Sequence, residues 1–218
     1  EGVYRSRKRH EGPRDRNARD EAGRTRLVTP TVGVLALQGA FAAHALILER
    51  LGVSTKEIRA DAQLDDVDAL VMPGGESTTM SMLLERSDML EPLRTRIAGG
   101  LPVFGTCAGM ILLSSEVMDG RPDQRVLGSI DIRTRRNGYG RQTESFESDL
   151  EIAGMDEPFH GIFIRAPIVE RVGESVSVLA SVDGDAVLCQ QANVTVASFH
   201  PELADDDRLH SMWLKEFV

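Results

Sequence analysis

The chain has 218 residues, 41% hydrophobic and 27% charged but only 5% aromatic, which is enough for one self-supporting α/β domain. Two cysteines, Cys107 and Cys189, exclude a disulfide framework and point to a reducing, cytoplasmic setting, and no apolar run reaches the roughly 18 residues of a membrane span. The net charge of −9 averages two unlike parts: residues 1–30 hold nine Lys/Arg and five Asp/Glu, which leaves the other 188 with 16 basic and 29 acidic side chains, a net of −13 that disfavours nucleic acid as a partner.

In chain order, the first 26 residues carry almost no large apolar side chains. They cannot bury enough surface to offset the entropy of ordering, so residues 1–29 are expected to form a disordered basic tail ahead of one domain over 30–218. The tail lacks the apolar stretch of a signal peptide, and its five acidic residues disfavour a transit peptide. Thr31–Leu37 is a continuous apolar run suited to a strand covered on both faces. Phe41, Ala45, Leu48 and Leu51 then recur at helical spacing, with Gly52 to stop the helix. Val53–Ile58 and Ala69–Met72 predict the next strands, and the latter runs into Pro73-Gly74-Gly75. A helix is predicted over Thr78–Leu84 with Ser77 as its N-cap. Pro102–Phe104 predicts a fourth strand ahead of an apolar helix. Strands over Leu127–Ile132, Gly161–Ile164, Val176–Ser181, Ala186–Gln191 and Val194–Phe199 follow at short spacing, before a last helix at about Asp207–Phe217. The expected fold is therefore α/β: an open, mostly parallel, doubly wound sheet with helices on both faces and an antiparallel section in the C-terminal half.

The strongest chemical signal is Gly105-Thr106-Cys107-Ala108-Gly109 at a strand-to-helix junction. Flanking glycines allow a sharp turn that lifts the thiol clear of the strand end, and a helix N-terminus favours thiolate over thiol. A buried structural cysteine is the commoner fate of a lone Cys, and Cys189 is read that way. Of five histidines, His10 lies in the tail, His44 and His210 fall in predicted helices, and His160 sits in a turn. His200 instead leaves an apolar strand and is followed by Pro201-Glu202, so Cys107, His200 and Glu202 form a candidate nucleophile, base and orienting carboxylate. The adjacent glycines Gly74 and Gly75 are expected to admit backbone geometries closed to other residues and to aim an amide at an oxyanion, with the Ala108 N–H as second donor. Gln38-Gly39 is a possible part of the same rim, and Arg136 and Ile164-Arg165 are possible substrate clamps, although arginines in such a chain are mostly solvated or paired.

Gly105–Gly109 together with Ser198-Phe-His-Pro-Glu202 resembles the signature pair of class I, triad-type glutamine amidotransferases. Leu37-Gln-Gly-Ala40, Pro73–Met80, Asn137–Gln142 with Ser145–Glu147, and Phe163–Pro167 are similar to the glutaminase subunit family of pyridoxal 5′-phosphate synthase, in that family's order across residues 31–218. The resemblance implies hydrolysis of L-glutamine to L-glutamate and ammonia, without cofactor or metal. It implies delivery of the ammonia to a separate synthase subunit that builds pyridoxal 5′-phosphate from ribose 5-phosphate and glyceraldehyde 3-phosphate, in a complex of twelve of each subunit. It assigns Cys107 as nucleophile, His200 as acid and base, Glu202 as orienter, and Gly75, Glu76, Ser77, Arg136, Ile164 and Arg165 to the glutamine site. If the Gly74–Gly75 peptide is misaligned without the partner, the free subunit is expected to be nearly idle. Two other readings keep the sequence pattern: a partner-independent hydrolase of γ-glutamyl bonds or peptides, and a non-catalytic interaction module.

Overall fold

The structure, a computed structural model, describes residues 29–136 and 145–218, so the expected tail (but for Thr29) and the Asn137–Gln142 block lie outside the described residues. The chain runs β1 (Thr31–Leu35), α1 (Phe41–Arg50), β2 (Ser54–Ile58), β3 (Ala69–Met72), α2 (Ser77–Arg86), α3 (Leu90–Ala98), β4 (Val103–Thr106) and α4 (Ala108–Leu113). It continues with β5 (Ser114–Met118), β6 (Ile130–Arg135), β7 (Phe146–Leu150), β8 (Phe159–Phe163), β9 (Ile168–Val172), β10 (Ser177–Val182), β11 (Asp185–Gln191), β12 (Val194–Ala197) and α5 (Arg208–Phe217).

A seven-stranded sheet in the order β10-β11-β12-β4-β3-β1-β2 forms the centre, and β5-β6-β9 and β7-β8 make two smaller sheets. The strands from β12 to β2 pair in parallel, while β10, β11 and β12 pair antiparallel. Successive side chains of a strand point to opposite faces, and here both faces are apolar. Val32, Val34, Ala69, Val71 and Phe104 enter one core with Leu48 of α1 and Leu209 and Trp213 of α5. Leu35, Leu70, Met72 and Val103 enter the other with Leu84 of α2, Leu93 of α3 and Leu112 of α4. That two-sided burial is why these strands read as unbroken apolar runs, and it makes the sheet doubly wound as expected.

The parallel strands β1, β3, β4 and β12 are neighbours and end on the same edge of the sheet. Their carboxyl ends release Gln38, Gly74, Cys107 and His200 respectively within a few residues. Residues spread over most of the domain therefore meet at one edge, where open α/β sheets hold their ligands.

Several elements depart from the expected ones. α3 contains Pro92, which falls in the first turn, where its missing N–H breaks no helical bond. β5, β7 and β9 are only partly buried and mix charged or hydroxyl residues with apolar ones. β6 starts at Ile130 rather than Leu127, because Leu127 N–H donates to Leu112 O at 2.6 Å and Gly128 turns at φ +66. Ser77 is not the N-cap of α2. Glu76 takes that place, its carboxylate accepting from the Thr78 and Thr79 N–H groups, and Ser77 begins the helix.

Candidate active site

The site is built around the turn between β4 and α4. Cys107 itself occupies a positive-φ conformation, φ 48 and ψ −103, at the N-cap of α4. Such a geometry costs a non-glycine residue about 1–3 kcal/mol. It is held by Cys107 N–H donating to Ala197 O of β12 at 2.8 Å and by Ile111 N–H closing on Cys107 O at 3.2 Å. The flanking glycines serve packing: neither has a positive φ, but a Cβ on Gly109 would stand 2.1 Å from Met72 O, and one on Gly105 would stand 2.5 Å from Leu113 Cδ1. Without side chains there, α4 seats directly on β3 and β4, and the bend falls on the cysteine.

His200 follows β12, and its N–H donates to Ile162 O at 2.8 Å, which ties the turn to β8. Its Nδ1 lies 2.7 Å from Glu202 Oε1, and its ring lines the same cavity as Cys107. Burial alone lowers the His200 pKa, yet the hydrogen bonds and charges of Cys107 and Glu202 carry it up to about 10. For Glu202, burial raises the pKa, but the hydrogen bond from His200 and the close approach of His44 outweigh it and hold the carboxyl well below the usual carboxylate range. The three groups form a linked row with a buried carboxylate at its inner end. Cys189, by contrast, is fully buried in a core, and burial pushes its thiol up to about 11.

Gly74 and Gly75 do not adopt positive φ, so they are not needed here for a special backbone conformation. Gly74 is needed for room. A Cβ on Gly74 would lie 2.5 Å from His200 Cε1 and 3.3 Å from Cys107 Cβ. Gly39, at φ +88, lies so close to this loop that a Cβ on it would stand 1.7 Å from Gly74 O. Gln38 Oε1 accepts from Glu76 N–H at 3.2 Å, so the β1 and β3 loops are fastened together. Ala108 is the first residue of α4, where an N–H has no partner within its own helix.

Cys107 and His200 open on a cavity of about 300 Å³, lined also by Gln38, Gly75, Glu76, Ser77, Ile111, Arg136, Ile164 and Arg165. Each expected substrate residue thus faces this one space, whereas Glu202 lies behind His200. Arg136 Nη2 donates to Glu76 Oε1 at 2.6 Å and Nη1 to Thr78 Oγ1 at 2.7 Å, placing a cation and an anion side by side at the wall. Arg135 points elsewhere, into ion pairs with Asp119 and Glu170. Arg165 is a second positive-φ residue, at φ 46. Ile111 was missed by sequence reasoning because it sits in the apolar stretch of α4 and reads as core. Also missed was the pair behind Glu202: His44 Nε2 lies 3.3 Å from Glu202 Oε2, and His44 Nδ1 lies 2.9 Å from His210 Nε2. Among the described residues, no three His, Cys, Asp or Glu side chains are grouped to hold a metal ion, and no helix is long and apolar enough to cross a membrane.

Residues 34–218 match the SNO glutamine amidotransferase family. The chain belongs to that family. It is 52% identical over 185 residues to the pyridoxal 5′-phosphate synthase subunit PdxT of Corynebacterium jeikeium, covering 84% of this chain and 95% of the relative. It is 50% identical over 187 residues to the PdxT subunit of Mycobacteroides abscessus, covering 86% and 97%. Among solved structures, a glutamine amidotransferase superposes with a TM-score of 0.80 at 48% identity, covering 84% of this chain and 97% of that one. PurLQS from Thermotoga maritima, at 15% identity and a TM-score of 0.64, shares the fold.

Proposed function

We propose that the chain is the glutaminase subunit of a pyridoxal 5′-phosphate synthase, hydrolysing L-glutamine through Cys107, His200 and Glu202. The observation that carries the chemistry is the row Cys107–His200–Glu202, set at the wall of a small cavity with the thiol on a strained turn. Its volume lies at the low end of the about 300–1,000 Å³ of small-ligand pockets, which suits an amino acid.

Glutamine brings an α-ammonium, an α-carboxylate and a neutral carboxamide. The Arg136 guanidinium and the Glu76 carboxylate offer opposite charges to the two ionic ends, with Ser77, Ile164 and Arg165 completing the wall. His200 takes the Cys107 proton, and the sulfur attacks the carboxamide carbon to give a tetrahedral oxyanion. The amides of Gly75 and Ala108, beside Gly74, are the donors for that charge, and one such donor contributes about 3–4 kcal/mol of barrier lowering. His200 then gives its proton to the departing nitrogen, releasing ammonia and leaving a γ-glutamyl thioester on Cys107. Water, deprotonated by His200, hydrolyses the thioester to glutamate. Glu202 fixes the His200 ring and balances its charge throughout.

The ammonia passes to a separate synthase subunit that combines it with ribose 5-phosphate and glyceraldehyde 3-phosphate, in a cytoplasmic complex of twelve subunits of each kind. Support for this partner comes from the name carried by the relatives at about half identity over nearly their whole length. The test is glutamate release by the wild type and Cys107→Ala, each with the synthase subunit added and omitted. Turnover that rises sharply with the synthase and disappears in Cys107→Ala is expected. Equal wild-type turnover in both conditions contradicts the partner dependence, and an active Cys107→Ala contradicts the mechanism.

A further inference from the structure

Glu202 uses only one of its two oxygens on His200. The other, Oε2, faces the interior, where its neighbour is His44 Nε2 at 3.3 Å, both side chains being fully buried. His44 comes from α1, and it does not line the cavity. Its ring is gripped at both nitrogens. Nε2 also lies 3.2 Å from Thr106 Oγ1, on the residue that precedes the nucleophile, and Nδ1 lies 2.9 Å from His210 Nε2 of α5. His210 is itself locked, edge-on to Phe104 at 5.6 Å between ring centroids.

The donor pattern follows from chemistry. A carboxylate only accepts, so Glu202 Oε2 takes His44 Nε2 as its close polar neighbour at 3.3 Å, an ion-pair distance without a formed hydrogen bond, while Nε2 makes its hydrogen bond with Thr106 Oγ1. Burial, and then the charge of His44, push the His210 pKa down to about 3, with Glu202 opposing and Arg50 adding to the effect. A neutral imidazole of either tautomer can complete the contact at His44 Nδ1. The groups that bear on His44 are thus Thr106 from β4, Glu202 from the turn after β12, and His210 from α5.

We propose that His44 is a positioning residue for the reaction: it clamps Glu202 Oε2 so that Oε1 holds the His200 ring on line with Cys107. This rests on the triad reading above and extends it from three residues to a buried row of five, Cys107–His200–Glu202–His44–His210. The energetic reason is that a carboxylate sealed away from water needs partners on both oxygens, and a single bond to His200 leaves it free to rotate.

Two substitutions of like polarity separate positioning from packing. The side-chain amide of Gln reaches where His44 Nε2 lies, and that of the shorter Asn reaches only where Nδ1 lies. His44→Gln keeps the contact with Glu202, while His44→Asn keeps only the one with His210. Glutaminase kcat, KM and pH profile are measured on the full chain with its synthase partner, beside Cys107→Ala and wild type. His44→Asn is expected to lose about 10- to 100-fold in kcat, the range seen when outer partners of functional ligands are removed, with KM within about twofold. Its acid limb is expected to move to higher pH, since the loss of the imidazole beside Oε2 lets the Glu202 pKa rise. His44→Gln is expected to stay within a few-fold of wild type with its acid limb in place. Equal behaviour of the two variants, or the reverse order, overturns the proposal. An active Cys107→Ala overturns the triad reading itself, which keeps the two failures distinct.

Discussion

Gly74 offers a direct perturbation of the triad without touching any of its members. In Gly74→Ala the new methyl would lie 2.5 Å from His200 Cε1, 3.1 Å from Nδ1 and 3.3 Å from Cys107 Cβ. Carbon atoms in contact prefer about 3.5–4.0 Å, so the ring and the loop must part by roughly 1 Å. The ring cannot yield freely, because Nδ1 is tied to Glu202 at 2.7 Å inside a buried pocket. Overpacking of this kind costs about 1–3 kcal/mol of stability, which lowers the melting temperature by about 2–4 °C per kcal/mol in a chain of this size. A displacement of about 1 Å at a catalytic group costs roughly 100-fold in rate. Steady-state glutaminase assays with the synthase present should therefore show kcat/KM down by about two orders of magnitude. Gly52→Ala is the matching control: it forces a side chain onto φ +85, yet has nothing within 4 Å. It should lose about 1–2 kcal/mol of stability and keep its kcat/KM. A Gly74→Ala enzyme that folds and turns over like wild type would refute the idea that the glycine is required for room beside His200.

Arg136→Leu removes the cation at the cavity wall and should raise KM for glutamine about 10- to 100-fold with little change in kcat, the range for losing a charge-assisted contact. A lowered kcat at constant KM would place Arg136 in the chemical step instead. Glu202→Gln removes one of the two groups that hold the His200 pKa at about 10, so the alkaline limb of kcat/KM should move down towards the ordinary histidine range. The same change has a signature in stability. A raised histidine pKa contributes stability that is complete below its ordinary 6.5 and is lost as pH climbs towards 10. Wild type should therefore lose more of its melting temperature across that window than Glu202→Gln does, as measured by differential scanning calorimetry.

The parts of the fold visible in the sequence are those covered on both faces. β1, β3, β4 and β12 carry continuous apolar runs because each alternates between two cores. β5, β7 and β9 are partly exposed and mix polar with apolar residues, and α3 carries Pro92 in its first turn, so neither type leaves a clear periodic signal. At the site, Cys107, His200 and Glu202 stand out because their local sequence is unusual for a strand exit. The reasons for the glycines were only half legible. Glycine permits both unusual dihedrals and close approach, and sequence alone does not say which one a position needs. Here Gly74, Gly105 and Gly109 answer to close approach, and the positive φ falls on Cys107. His44 and His210 were hidden for a different reason. A histidine on a helix reads as one more surface or core position until the helices are seen to cross behind Glu202.

The proposed mechanism joins Cys107 covalently to the γ-acyl group of glutamine. Rapid acid quenching of the enzyme with its synthase partner during turnover, followed by intact-protein mass spectrometry and peptide mapping, tests it most directly. A γ-glutamyl adduct is expected on the peptide containing Cys107, present with glutamine, absent with glutamate, and abolished in Cys107→Ala. Full turnover with no adduct, and with Cys107→Ala as active as wild type, would contradict it.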